Sequence, residues 1–161
     1  MSKSTNFLTI GALVAFAAVN TASAQVTQTV TFEVTAINQI SVTGAPSLVI
    51  NTATAGSAPT SVTAAANSWS VTTNQSTAMI TASIPSAMPT GLTLSANLIA
   101  PAGATSAGLI ALGTTAVNVV TGITKLNSAA LGLTYQLDAT AAAGVVTSST
   151  RVVTYTITGG V

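Results

Sequence analysis

Polar and apolar residues alternate along most of this chain, and the polar ones are Thr, Ser, Asn and Gln rather than charged residues. A period of two places successive side chains on opposite faces of a β-strand. Residues 25–36 are the longest example. The large apolar side chains of this segment all share one face: Val26, Val30, Phe32 and Val34. The alternation predicts that residues 25–36 form a strand with one buried face.

The same alternation returns in further stretches, separated by breaks that are rich in glycine and proline. The candidate strands are residues 40–42, 48–50, 69–73, 80–84, 92–98, 109–112, 117–123, 131–137 and 153–157. Two alanine clusters, residues 64–66 and 141–143, are interpreted as loops, with a single helical turn as the alternative for each. Eight to ten short strands at this spacing predict an all-β fold, an antiparallel β-sandwich of the immunoglobulin-like kind, in one domain over residues 25–161.

The first 24 residues have the pattern of a cleavable export signal. Lys3 supplies a positive start, residues 7–19 form an apolar run, and small residues follow at Ala22 and Ala24. The apolar run is shorter than the roughly 20 residues that a membrane-spanning helix needs. We therefore expect cleavage after Ala24, an extracellular or cell-surface location, and no membrane span in the mature form.

Few charged groups remain after this cleavage. They are two cations and two acids, Lys125, Arg151, Glu33 and Asp138, so the formal net charge is zero. Two cations are too few to neutralise several phosphates, which argues against a nucleic-acid partner.

Residues that usually carry out catalysis are also scarce. The chain has no His and no Cys, so the usual general base, thiol nucleophile and soft metal ligands are missing. By parity, Glu33 and Asp138 lie on the polar faces of their strands. We interpret them as solvated charges or partners in surface ion pairs. We expect no catalytic residue, no metal site, no cofactor and no enzymatic activity.

One modification signal is present, because Asn74-Gln75-Ser76 fits the N-glycosylation pattern in a predicted loop. Such triplets arise by chance in Ser- and Thr-rich chains, so a polar loop residue is the favoured interpretation of Asn74 and a glycan the alternative.

The aromatic residues bear on a second class of function, a secreted carbohydrate-binding or adhesive module. Trp69, Tyr135 and Tyr155 are the candidates for a sugar platform, but each lies on the apolar face of its strand. We therefore predict that they belong to the core.

The scarcity of charge points to self-association. Monomeric β-proteins protect their sheet edges with charged residues and keep their net charge away from zero. In donor-strand complementation, an extended segment of one subunit fills a groove in the next. Residues 25–36 would directly follow the cleavage site, and Val26, Val30, Phe32 and Val34 would then form the subunit interface. The alternative, equally open at this point, is that the segment pairs within its own domain.

The mature chain resembles small bacterial pilin-type sandwiches, including the spore-coat-protein-U-like subunits of archaic chaperone–usher pili. The matching stretches are QTVTFEVTAINQISVTG near the start and AAAGVVTSSTRVVTYTIT near the end. The resemblance implies an extracellular subunit that polymerises with copies of itself into a pilus or fimbria. The chain departs from these subunits in one respect, since they commonly carry a disulfide and this chain has no cysteine.

Overall fold

The computed structural model describes residues 23–160. The predicted export signal, residues 1–24, therefore lies outside the described residues apart from Ser23 and Ala24. The chain divides into two units, residues 1–33 and 34–161. The described part of the first unit, residues 23–33, contains neither helix nor strand. Within residues 23–160, no helix has the length and apolar character needed to cross a membrane.

The second unit is built from β-strands, and nine of them lie in the described residues. They are β1 (Asn38–Thr43), β2 (Val62–Thr73), β3 (Ser76–Ser83), β4 (Leu92–Leu98), β5 (Thr105–Ser106), β6 (Ile110–Ala111), β7 (Val117–Ile123), β8 (Leu126–Ala139) and β9 (Thr154–Gly160). One 3-10 turn, Ala141–Ala143, follows β8. All strand pairs are antiparallel, which confirms the predicted fold class.

Two sheets share these strands. The first has the order β1-β2-β8-β4-β6, and the second has the order β5-β7-β3-β9. The long strands β2 and β8 pair from Val62 opposite Leu137 to Thr73 opposite Leu126. We call the end near Thr73 the turn end, because β2 leads into β3 there, and the end near Leu137 the groove end.

The core lies between the two sheets and follows the predicted parity. In β8, Leu133 is fully buried while its neighbour Thr134, which points the other way, is partly exposed. Trp69 of β2 and Tyr135 of β8 are also buried, as the sequence predicted for both. They pack in one cluster with residues of the second sheet such as Ile80.

Three stretches differ from the sequence-based expectation. Residues 25–36, which alternate, and residues 48–50, which are mostly apolar, form no strand. Alternation marks a face that is suited to burial, but a strand also needs a neighbouring edge to pair with. Conversely, residues 64–66 belong to β2, because β-pairing in a sheet overrides the weak strand preference of alanine. Residues 141–143 form the single turn that was the alternative for them.

Candidate functional site

The N-terminal segment, which we define as residues 25–36, belongs to neither sheet. Val26 is 91% exposed and Phe32 is 89% exposed, and Val30 and Val34 are exposed as well. These are the four side chains that the sequence predicted to form one apolar face. Contiguous exposed apolar surface commonly marks a site of protein–protein interaction.

Two further stretches of the second unit are also unpaired. Residues 45–51, the first wall, follow β1, and residues 145–153, the second wall, precede β9. Neither wall contains helix or strand. Neither makes a backbone–backbone hydrogen bond to another residue within the described range 23–160. Apart from the Thr150 carbonyl, which accepts from the Arg151 side chain, the walls therefore present backbone N–H and C=O groups that an added strand could use.

The two walls border a groove of about 740 Å³ at the groove end of the sandwich. Its apolar lining comes from both walls, from a loop and from the ends of β4 and β8: Leu48, Ile50, Met88, Leu92, Leu137 and Val146. No charged residue lines it among the residues that the structure describes. The groove therefore combines apolar side chains and uncharged Ser, Thr and Asn side chains with unpaired backbone on its two sides.

Gly44 fixes the point at which β1 ends and the first wall begins. Its φ is +114°, a conformation that side-chain-bearing residues rarely adopt. A Cβ atom at this position would also collide with Oδ1 of Asn67. The Asn67 amide is itself buried and held in place, since its Nδ2 donates to the carbonyl oxygen of Ala64 at 3.0 Å. Only glycine fits this turn.

The N-terminal segment joins the sandwich at the turn end, where Asn74 holds it with three hydrogen bonds. The backbone N–H of Asn74 donates to the Ile37 carbonyl oxygen at 3.2 Å. The Ile37 N–H donates to Asn74 Oδ1 at 2.8 Å, and Asn74 Nδ2 donates to the Thr35 carbonyl oxygen at 2.7 Å. The Asn74 side chain is itself held by Gln75, whose Nε2 donates to Oδ1 at 2.6 Å. The side-chain amide of Asn74 thus makes hydrogen bonds to the backbone of Thr35 and Ile37 of the kind that a partner strand would make.

Asn74 lies in the turn between β2 and β3, as its loop assignment predicted, and it is half-buried. Its Nδ2, the atom to which an N-linked glycan would be attached, is the donor to Thr35. A glycan on Nδ2 would replace one of its two hydrogens and leave the other as a donor. The choice between a polar loop residue and a glycan acceptor at Asn74 stays a prediction from the sequence.

Two charged residues of the second unit, Asp138 and Arg151, have neutral partners. Asp138 accepts hydrogen bonds from the Ser61 hydroxyl and from Gln136 Nε2. The Arg151 guanidinium, in the second wall, donates to the carbonyl oxygens of Thr150 and Ala87 at 2.9 and 3.1 Å. A hydroxyl and an amide thus hold Asp138. The sequence analysis offered a surface ion pair as one of two interpretations of this residue, and the observed partners are neutral instead.

The aromatic residues offer no exposed platform within the second unit's described residues. Trp69 and Tyr135 are buried, and Tyr155 is largely covered and donates its hydroxyl proton to Tyr135 at 2.9 Å. Burial raises the pKa of both tyrosines, and for Tyr155 the hydrogen bond to Tyr135 raises it further. Sugar-binding sites normally present aromatic faces together with convergent polar groups, and these three side chains do not do so.

The groove and the N-terminal segment have complementary chemistry. An apolar strand needs a floor for its side chains and partners for its backbone, and the groove and its walls offer both. Comparison of the chain with protein-family models, with curated proteins and with solved structures gives no match. The resemblance to pilin-type sandwiches therefore stays a prediction from the sequence.

Proposed function

We propose that this chain is a structural, non-enzymatic subunit of an extracellular filament or surface layer, and that copies assemble head to tail by strand complementation. The N-terminal segment of one copy fills the groove of the next. One observation carries the proposal: an alternating apolar segment lies outside both sheets in a chain whose sandwich has a groove, lined by apolar and uncharged polar residues, between two unpaired walls.

Burial of the segment gives the driving force. Moving a large apolar side chain from water into a core stabilises by about 1.5–3 kcal/mol, and the segment has four such side chains on one face. The backbone of the inserted segment would hydrogen-bond to the walls, which lack backbone partners within residues 23–160. Ordering of the segment opposes these gains at about 1–2 kcal/mol per residue, so the net affinity depends on how well the side chains fit.

The donor and the acceptor are different surfaces, so the contact is of the head-to-tail kind. Such a contact continues into an open filament unless its rotation closes a ring. The partner in this proposal is a second copy of the chain, and an extracellular location follows from the predicted export signal. A secreted carbohydrate-binding module is the weaker alternative, because Trp69, Tyr135 and Tyr155 are not available to stack on a sugar.

The proposal is tested by separating the donor from the acceptor. A variant of the mature protein that lacks residues 25–33 loses no residue of either sheet and keeps Thr35, the partner of Asn74. We expect it to be soluble, less stable than the polymer and unable to polymerise. A synthetic peptide of residues 25–36 should bind it and raise its urea midpoint, because a ligand that binds only the folded state stabilises that state.

The matched control is the same peptide with the substitution Phe32→Lys, which should neither bind nor stabilise, since a buried charge without a partner is costly. A full-length mature protein that stays monomeric at high concentration would contradict the proposal and favour the binding-module alternative. Exported material provides the second measurement. Mass spectrometry should find Gln25 at its N-terminus, and negative-stain microscopy should show filaments or a layer.

A further inference from the structure

Ile37, which directly follows the donor segment, and the acceptor groove lie at opposite ends of the sandwich. Ile37 hydrogen-bonds to Asn74, which directly follows Thr73 at the turn end of β2. The groove is lined by Leu137, which pairs with Val62 at the other end of β2. Val62 and Thr73 are eleven residues apart, which is about 36 Å along a strand.

The N-terminal segment is too short to fill the groove of its own domain. In the tightest hairpin that would fold it back along β1, residues 35 and 36 form the turn and Val34 lies opposite Ile37. Gln25, nine residues before Val34, then lies opposite Pro46, nine residues after Ile37. Pro46 is the first of the consecutive residues 46–53 that line the groove. A chain that begins at Gln25 would therefore leave its own groove almost empty.

The hydrogen bonds of Asn74 also oppose this hairpin, in which the segment would fold back along β1. A hairpin at residues 35 and 36 would require Thr35 and Ile37 to give up their hydrogen bonds to the Asn74 side-chain amide. These two bonds, together with the one from the Asn74 backbone, hold residues 35–37 against the turn between β2 and β3. The side chain therefore fixes the backbone of residues 35–37, from which the segment leaves the sandwich.

We propose that Asn74 is a positioning residue that directs the N-terminal segment away from its own domain and presents it to a second copy. This inference rests on the proposed function. It gives Asn74 a role in the rate of assembly that is separate from the fit between segment and groove. If the presented state is only a fraction of the population, the apparent affinity of the donor falls in proportion to that fraction.

The test compares Asn74→Ala and Asn74→Asp in the full-length mature protein. The alanine variant loses both side-chain hydrogen bonds, and we expect polymerisation to slow by about tenfold, as the loss of one to two net hydrogen bonds implies. The aspartate variant keeps an oxygen acceptor for the Ile37 N–H but no donor for Thr35, so its rate should be intermediate. Hydrogen exchange gives a direct readout. The Ile37 amide should lose protection in Asn74→Ala and keep most of it in Asn74→Asp.

The control is Asn118→Ala, which removes an exposed amide from β7 and should polymerise at the wild-type rate. Binding of the 25–36 peptide to the variant that lacks residues 25–33 separates the two claims. If the peptide does not bind, the proposed function fails and the inference fails with it. If the peptide binds and Asn74→Ala polymerises at the wild-type rate, the inference alone is wrong.

Two other results also decide the matter. A weaker peptide affinity when Asn74→Ala is added to the shortened variant would show that Asn74 acts through the groove or through general stability, and would overturn the positioning role. If Asn74→Ala does not fold, the aspartate variant decides: a rate equal to wild type overturns the inference, and a reduced rate with normal peptide binding supports it.

Discussion

Two tyrosine hydroxyl groups meet inside the sandwich, one from each sheet. Tyr155 of β9 donates to Tyr135 of β8 at 2.9 Å. The alternation in the sequence predicts that both side chains face the core. In the structure Tyr135 is buried and Tyr155 is partly buried. It does not predict that they meet, because parity gives the face of a strand but not the position of one sheet over the other. Burial removes both hydroxyl groups from water, and the hydrogen bond between them supplies each with a partner.

The pair predicts a loss of stability at alkaline pH. An unfolded tyrosine has a pKa near 10, and burial raises the pKa of both residues in the folded state. The unfolded chain therefore loses these protons first. Stability is fully present below about pH 10 and falls as the pH rises above it. We expect the urea midpoint to fall between about pH 10 and pH 11.5, in parallel with tyrosinate absorbance on unfolding.

The matched control is the double variant Tyr135→Phe/Tyr155→Phe, which has no tyrosine left to titrate. Its urea midpoint should be much less sensitive to pH in this range. At neutral pH, Tyr155→Phe alone should cost about 1–3 kcal/mol, because the Tyr135 hydroxyl is left without its partner, and the double variant should cost less than the sum of the two single variants. Equal alkaline slopes in wild type and double variant would contradict this account.

At the scale of single elements, period-two alternation predicts strands well where a partner strand exists in the same chain. The stretch over residues 131–137 lies within β8, which pairs with β2 on one side and β4 on the other. The N-terminal segment alternates as clearly, yet no strand among the described residues 23–160 pairs with it in either sheet. Alternation thus identifies a strand-forming face. It does not identify which chain supplies the neighbouring edge.

The two faces of β8 give a direct check of this parity. Leu133 is fully buried, so Leu133→Ala should lower the free energy of unfolding by about 2–5 kcal/mol, through lost burial and the cavity left behind. Thr134→Ala, one residue further on the partly exposed face, should cost less than about 1 kcal/mol. Urea denaturation of both variants measures the difference. Similar losses would mean that both faces of β8 are buried in the protein in solution.

For the whole molecule, the sequence identifies only the donor half of the candidate site. The apolar face of residues 25–36 is visible as a pattern within twelve consecutive residues. The groove is not visible in this way, because its walls are about a hundred residues apart in the sequence and line one groove only in the folded chain. Residues 48–50, predicted as a strand, line this groove. The sequence shows that these residues are mostly apolar. It does not show that they line a groove, because the groove forms only in the tertiary structure.

The scarcity of charge makes a final prediction about how copies associate. The mature chain carries two cations and two acids, and none of these side chains lines the described groove. Raising sodium chloride from about 20 mM to about 500 mM shortens the Debye length from roughly 20 Å to roughly 4 Å. This change should alter the polymerisation rate of the mature protein, followed by light scattering, by less than about twofold. Ammonium sulfate should increase the rate, because it strengthens apolar burial.

The variant Phe32→Lys separates this apolar mechanism from association through charge. A lysine at this position cannot enter the groove without a partner, so polymerisation should be lost at low and at high sodium chloride alike. If charged surfaces drove assembly instead, the wild-type rate would fall steeply as salt is added, and one extra cation would shift that dependence rather than abolish assembly. Such a salt dependence would contradict strand insertion as the main contact. A flat salt response with loss of assembly in Phe32→Lys is the result that strand insertion requires, because its free energy comes from apolar burial and backbone hydrogen bonds.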